Sequence, residues 1–254
     1  ELKQTTASKE RIESELRIAR EIQMGMVPKM FPPFPERDDV DLYAQLIPAK
    51  EVGGDLYDFF IEGDKFYFIV GDVSGKGVPA SLVMAVTCRL FRTIAAHFHT
   101  PADIITALND TLAENNESNM FCTAFLGVID LKTGVMQYCN AGHNAPVIIY
   151  PSGKVEFMEI QPNLPLGLFG GFPYEGQECT LERGTSIFLY TDGVTEAENK
   201  EKALYSDERL LQQLIVTQKE SPRSIVDSVL ADIESHVAGT EQSDDITIMS
   251  FNFK

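Results

Sequence analysis

"KFYFIVGDVSGKG", residues 65–77, decides the reading of this chain. A strongly apolar strand pattern runs straight into Asp72, and a glycine-flanked turn follows at once. Upstream, "VGGDLYD" (52–58) sets Asp55 beside two glycines in the same way. A carboxylate next to glycine at a strand end is either turn chemistry or an oxygen ligand for a hard cation. The grammar recurs twice more. "TSIFLYTDG" (185–193) drives a second apolar strand into Asp192, and Ser243-Asp244-Asp245 opens a third. Any one of these aspartates reads as an ordinary turn. If the strand ends gather, however, four or five carboxylates share one cleft, and like charges brought close raise one another's pKa unless something cancels them. Mg²⁺ or Mn²⁺, hard ions that take oxygen ligands and keep several waters, would do so. Two such ions about 4 Å apart would activate a water and clamp an in-line phosphoryl displacement. The pattern alone carries the reading as far as a divalent-metal hydrolase.

The rest of the chain bounds that reading. Its 254 residues suit one large domain or one domain with an appendage, and 44% hydrophobic against 23% charged residues allow a sizeable core. No apolar run approaches the roughly 20 residues that span a bilayer. The chain opens on Glu1 with no secretory pattern, which reads as a piece of something longer. The formal charge of −17 argues against nucleic acid and anionic membranes as partners. Cys88, Cys122, Cys139 and Cys179 form no CxxC pair and lie mostly in apolar runs, which predicts buried free thiols and a reducing cytoplasm.

Periodicity predicts a helix over 2–27, with a heptad-like seam of Ile12, Leu16, Ala19, Gln23 and Met26 that fades toward Lys9, Thr5 and Leu2. Two readings stay open for it: a helix continuing from an upstream domain and dimerising, or a helix packed on its own domain. The prolines of "PKMFPPFPERDD" end it. Strands are expected at 40–48, 56–62 and 65–71, the last two joined by a turn at Glu62, Gly63 and Asp64. A helix begins near Pro79, its apolar face of Leu82, Val83, Val86, Leu90, Phe91 and Ile94 taken as core, and another is capped by Thr100 and Pro101. Six strands follow, then helices at 206–217 and 222–237, then a closing strand in "DDITIMSFNF". Strands adjacent in sequence around paired helices indicate α+β, with two packed antiparallel sheets and helices outside. The division is an N-terminal linker helix over 1–30 and a catalytic domain over 31–254.

"EVGGDLYDFF", "VGDVSGKGVPASL", "CNAGHNAP", "LYTDGVTEA" and "QSDDITIM" stand in the order and spacing found in the metal-dependent protein serine/threonine phosphatases, the protein phosphatase 2C superfamily. The chain resembles most closely the bacterial branch typified by stage II sporulation protein E, over about residues 20–254, and "AREIQMGMVP" looks like the entry to that domain in multidomain regulators. The resemblance implies an αββα sandwich with two Mn²⁺ or Mg²⁺ ions between the sheets. By it, Asp72 matches the bridging aspartate, Asp55 the acid on the second metal, the carbonyl of Val73 a backbone ligand, and Asp192 and Asp244 the remaining ligands. Asp245 and Gly54 are expected to support the site. The implied activity is hydrolysis of phosphoserine or phosphothreonine by a metal-bound hydroxide. The implied context is the output domain of a bacterial signalling regulator, acting on a phosphorylated anti-sigma-factor antagonist. An upstream sensor would reach the site through the N-terminal helix and the helices after Asp72, with homodimerisation left open. The expected compartment is the cytoplasm, as a free protein or as the cytoplasmic part of a membrane-anchored regulator, with no membrane contact by this domain.

Two departures stand out. Ser74 lies near the position where eukaryotic relatives carry a histidine proposed to protonate the leaving group, and no arginine matches the one those relatives use to hold phosphate. His143 could orient a loop near the site or be a hydrogen-bonded structural residue. His97, His99 and His236 read as helix-end residues, and Lys76 as a solvated turn lysine rather than a phosphate contact. Two rival readings remain: a pseudophosphatase that only binds a partner, and another divalent-metal phosphohydrolase.

Overall fold

The computed structural model describes residues 2–254, with side chains from residue 8 onward. Leu2 and Thr5 of the seam therefore lie outside the described side chains. A helix, α1 (Leu2–Met24), leads into β1 (Val40–Ile47), β2 (Leu56–Glu62) and β3 (Lys65–Val73). Two helices, α2 (Val78–Ala95) and α3 (Pro101–Ala113), come next. Then follow β4 (Cys122–Asp130), β5 (Val135–Ala141), β6 (Val147–Ile149), β7 (Val155–Phe157), β8 (Gln177–Thr180) and β9 (Thr185–Tyr190). The chain closes with α4 (Asp192–Thr195), α5 (Asp207–Thr217), α6 (Pro222–Val237) and β10 (Ile246–Phe253).

The strands form two five-stranded sheets, ordered β1-β10-β9-β6-β7 and β2-β3-β4-β5-β8. Every strand pair within them is antiparallel. α2 and α3 cover the second sheet, and α5 and α6 the first. The expected αββα sandwich is the observed fold. It explains why β3 reads as a continuous apolar run rather than an alternating one: both of its faces are buried. Phe66 and Phe68 point inward, their rings 5.3 and 4.9 Å from that of Phe251 on the opposite sheet. Tyr67 points outward, stacked on Phe60 at 4.8 Å, which in turn meets Phe91 of α2 at 5.6 Å.

Local signals act where they were read. Thr100 and Ser221 accept the backbone N–H groups of Asp103 and Ser224, capping α3 and α6. β2 and β3 meet in a two-residue turn, with Glu62 paired to Lys65. Four details differ from expectation. α1 stops at Met24, where the Gly25 N–H already bonds back to Glu21 and Ile22. β3 continues two residues further, so Asp72 and Val73 are still in the ladder opposite Thr123 and Cys122. Asp192 opens the one-turn helix α4 rather than a simple turn. Finally, α2 lies on the sheet through Ala80, Met84, Thr87, Cys88, Phe91 and Ala95, which leaves Leu82 and Val86 exposed instead of in the core. That buried stripe recurs at helical spacing, and positions 82 and 86 fall off it. By length and composition α2 is the one described helix apolar enough to cross a membrane; in this fold it covers the outer face of the second sheet with about a third of it buried.

All four cysteines are free, three of them buried, while Cys179 on the edge strand β8 is half-buried. α1 touches the domain mainly near its end, where Gln23 is buried. Ile12, Ile18 and Ile22 stay exposed.

Candidate metal centre

Both sheets send acids to the same end of the sandwich. The β2–β3 hairpin pairs Leu56 with Gly71, which places Asp55 and Asp72 side by side at the mouth of the second sheet, their carboxyls within hydrogen-bonding reach. On the first sheet, β9 and β10 run antiparallel with Tyr190 opposite Ile248, so Asp192 follows one strand where Asp244 precedes the other.

Two hydrogen bonds, Thr191 to Asp55 and Gly54 to Asp245, join the two sheet ends. The hydroxyl of Thr191 donates to Asp55 Oδ2 at 2.7 Å and accepts the Thr247 N–H at 2.9 Å. Asp245 accepts the Gly54 N–H on Oδ2 at 2.7 Å and the Ala49 N–H on Oδ1 at 2.8 Å. Both Asp245 oxygens are thus taken by backbone donors, which makes it a clamp between loops. Gly54 is required by a close approach: a Cβ there would stand 2.7 Å from the carbonyl oxygen of Val73. Any residue with a Cβ there would have to displace the Val73 backbone.

Electrostatics follow from this crowding. Asp55 is almost fully buried, and desolvation together with the charge of Asp72 pushes its carboxyl well above the usual range. Asp72 is pushed up to about 7, by burial first and then by Asp192 and Asp244. Asp192 is raised by burial, Glu196 and Asp244. A set of hard oxygen donors that repel one another is suited to divalent cations that prefer oxygen. Among the described residues, no three Asp, Glu, His or Cys side chains are gathered into a cage for a single ion. The acids line the cleft instead, an arrangement that fits ions completing their shells with carbonyls and water.

The remaining residues of interest take definite places. Ser74 is occupied by backbone: its Oγ accepts the Phe121 N–H at 3.0 Å and its own N–H donates to Phe121 O at 2.8 Å. His143 is buried, and burial drives it down to about 4, so it is neutral near pH 7. Its Nδ1 pairs with Thr123 Oγ1 at 2.9 Å, and that hydroxyl reaches the carbonyl of Asp72 at 3.4 Å. The histidine stands one residue behind the cleft. Lys76 is not simply a solvated turn lysine, because its Nζ lies 2.8 Å from Asp244 Oδ2.

Sequence reasoning missed three contributors. Thr191 was adjacent to a named aspartate, and its place at a strand end was the available signal. Gln23 looked like a flaw in a heptad; it is a buried side chain bonded to the Gly53 peptide. Thr123 carried no signal before its pairing with Asp72 was known.

Comparison with known proteins fits this geometry. The profile of the family described as Stage II sporulation protein E (SpoIIE) matches residues 62–254. The chain is 28% identical over 225 residues to phosphoserine phosphatase RsbU of Bacillus subtilis, covering 86% of the chain and 65% of that protein. It is 29% identical over 265 residues to protein IcfG of Synechocystis sp., covering 93% and 41%. The chain therefore spans 41% to 65% of the length of these two relatives. Among solved structures, the SiaA-PP2C domain of Pseudomonas aeruginosa superposes with a TM-score of 0.86 at 20% identity, over 98% of this chain and 99% of that one. The RsbU and RsbW domains of Rv1364c from Mycobacterium tuberculosis match with a TM-score of 0.72 at 26% identity, over 84% and 59%.

Proposed function

We propose, from the premise that the chain belongs to the stage II sporulation protein E (SpoIIE) family, that its cleft hydrolyses phosphoserine or phosphothreonine on a protein substrate. The observation that carries the proposal is the meeting of Asp55, Asp72, Asp192 and Asp244 at one end of the sandwich, two from each sheet. Two Mn²⁺ or Mg²⁺ ions bound there would supply Lewis acidity toward phosphoryl oxygens and lower the pKa of a water.

In this reading Asp72 would be shared between the ions, Asp55 would serve the second, Asp192 and Asp244 the first, and the Val73 carbonyl would add a backbone ligand. Thr191 steadies Asp55 by its hydrogen bond to Oδ2. Asp245 fixes the loops that carry Gly54 and Asp244. Thr123, backed by His143, props the end of β3 from beneath. Ser74 Oγ accepts the Phe121 N–H, which fixes it in the turn, and we assign protonation of the leaving group to solvent in the cleft.

The substrate class follows from the phosphoserine phosphatases among the relatives, RsbU and RsbP of Bacillus subtilis. A phosphorylated anti-sigma-factor antagonist is the substrate we assign, within a cytoplasmic regulator whose input reaches the domain through α1 and whose exposed isoleucines serve dimerisation. The test is phosphate release from a phosphoserine peptide with Mn²⁺, with Asp72→Asn and EDTA as controls. Release that needs the ion and vanishes in the variant is expected. An inert wild type that still binds two ions would turn the reading toward a partner-binding module.

A further inference from the structure

Lys76 occupies the turn between β3 and α2, flanked by Gly75 and Gly77, both with positive φ. From there its side chain crosses the cleft to the loop before β10. Its ammonium stands 2.8 Å from Asp244 Oδ2 and donates to the carbonyl of Ser243 at 2.6 Å. The other Asp244 oxygen, Oδ1, accepts the Asp245 N–H at 2.9 Å. Both oxygens of this carboxylate are therefore engaged. Among the described residues, Lys76 is the one basic side chain ion-paired with a cleft aspartate. Its charge also acts on Asp192.

A lysine in this position has two effects of the same sign. It relieves repulsion among the acids when no divalent ion ligates them, and it repels such an ion when one arrives. Each effect lowers the affinity of the cleft for a cation. The ammonium also covers an oxygen that would itself have to ligate.

We infer that Lys76 is a built-in competitor for the divalent ion at Asp244: it holds the carboxylate by day-to-day pairing and must release Oδ2 before an ion binds there. The inference rests on reading the cleft as a divalent-ion site. It gives the turn after Asp72 a second task, since ion entry and displacement of Lys76 become one event. The lysine tunes how much free ion the enzyme needs without touching the substrate.

The experiment is Mn²⁺ titration by calorimetry on the full chain, comparing wild type with Lys76→Gln and Lys76→Arg. Thermal melts in EDTA and in Mn²⁺ accompany it. The Lys76 side chain is 44% exposed, so both variants are expected to fold. Lys76→Gln should bind Mn²⁺ about tenfold more tightly, equivalent to ~1.4 kcal/mol. It should also melt lower in EDTA and gain more from Mn²⁺ than wild type does. Lys76→Arg, which keeps the charge, should stay near wild type. Unchanged or weaker Mn²⁺ binding in Lys76→Gln overturns the inference, and weaker binding would make the lysine a support that poses Asp244 for ligation. Unchanged ion affinity with a raised KM for phosphopeptide also overturns it, in favour of a phosphate contact. A wild type that binds no Mn²⁺ sinks the metal-centre reading itself, and this inference with it.

Discussion

Gln23 holds the Gly53 peptide from both sides: its Nε2 donates to Gly53 O at 2.6 Å, and the Gly53 N–H donates to its Oε1 at 3.2 Å. The same Nε2 lies 3.5 Å from the Met84 sulfur of α2. One buried amide thus joins the entry helix, the first helix over the second sheet and the loop that delivers Asp55. Replacing it by alanine leaves a buried peptide with two unpaired groups, which costs ~1–3 kcal/mol. Gln23→Ala should therefore lower the urea midpoint and weaken Mn²⁺ binding, because Gly54 and Asp55 lose their support. A matching change at exposed Glu21 should do neither. Equal Mn²⁺ affinity in wild type and Gln23→Ala would show that the helix end does not reach the site.

The carboxylate cluster sets a pH dependence whose sign is fixed. Asp72 is raised to about 7 in the folded chain, against the ordinary 3.8. Below the ordinary value it is protonated in both states and exerts no bias. Between there and about 7 the folded chain retains a proton that the unfolded chain has lost, so stability falls as pH rises through this window and levels off above it. Asp55, raised for related reasons, acts in the same direction. In EDTA the melting temperature should be lower at pH 8 than at pH 5, and Asp72→Asn should flatten that fall. Saturating Mn²⁺ should reverse the order at high pH.

Gly54→Ala separates the site from the fold. A methyl group there meets the carbonyl of Val73, a backbone atom that cannot swing aside. We expect a folded protein with near-native far-UV circular dichroism and at least tenfold weaker Mn²⁺ binding. Native affinity in this variant would mean that the loop shifts freely and that Val73 O is not a ligand.

Asp58, three residues beyond Asp55 on β2, gives a control outside the acid cluster. It is 1% exposed, and Arg92 grips it through Nε and Nη2, each at 2.6 Å. Burial still outweighs the guanidinium and lifts the Asp58 carboxyl above its usual range. Arg92→Ala leaves that buried carboxylate with only the Phe59 N–H and should cost about 3 kcal/mol in denaturant unfolding, the lower end for a broken buried pair. Arg92→Lys should recover only part of it, since the two-pronged geometry is lost.

Much of the fold was legible because its strongest signals are local. Apolar runs ending in Asp72 and Asp192 gave strands and acids together, and Thr100 and Ser221 marked helix starts by a chemistry that needs only four residues. What stayed hidden depends on the distant partner. Gln23 reads as a seam defect until Gly53, thirty positions away, is seen beside it. Asp245 differs little from Asp244 in sequence, yet its oxygens are consumed by Ala49 and Gly54, 196 and 191 positions upstream. The exposed side of α2 was misread for a related reason. Hydrophobicity at positions 82 and 86 says nothing about which stripe meets the sheet.

β10 pairs with β1 on one side and β9 on the other. β10 therefore sits between β1, far upstream, and β9, close before it, and Asp244 meets acids some 170 to 190 residues earlier in sequence. Contacts of such separation form slowly. Until β10 has emerged, β1 has no strand neighbour and the cleft lacks Asp244. The four-acid cleft is therefore complete only after the first sheet has closed around β10.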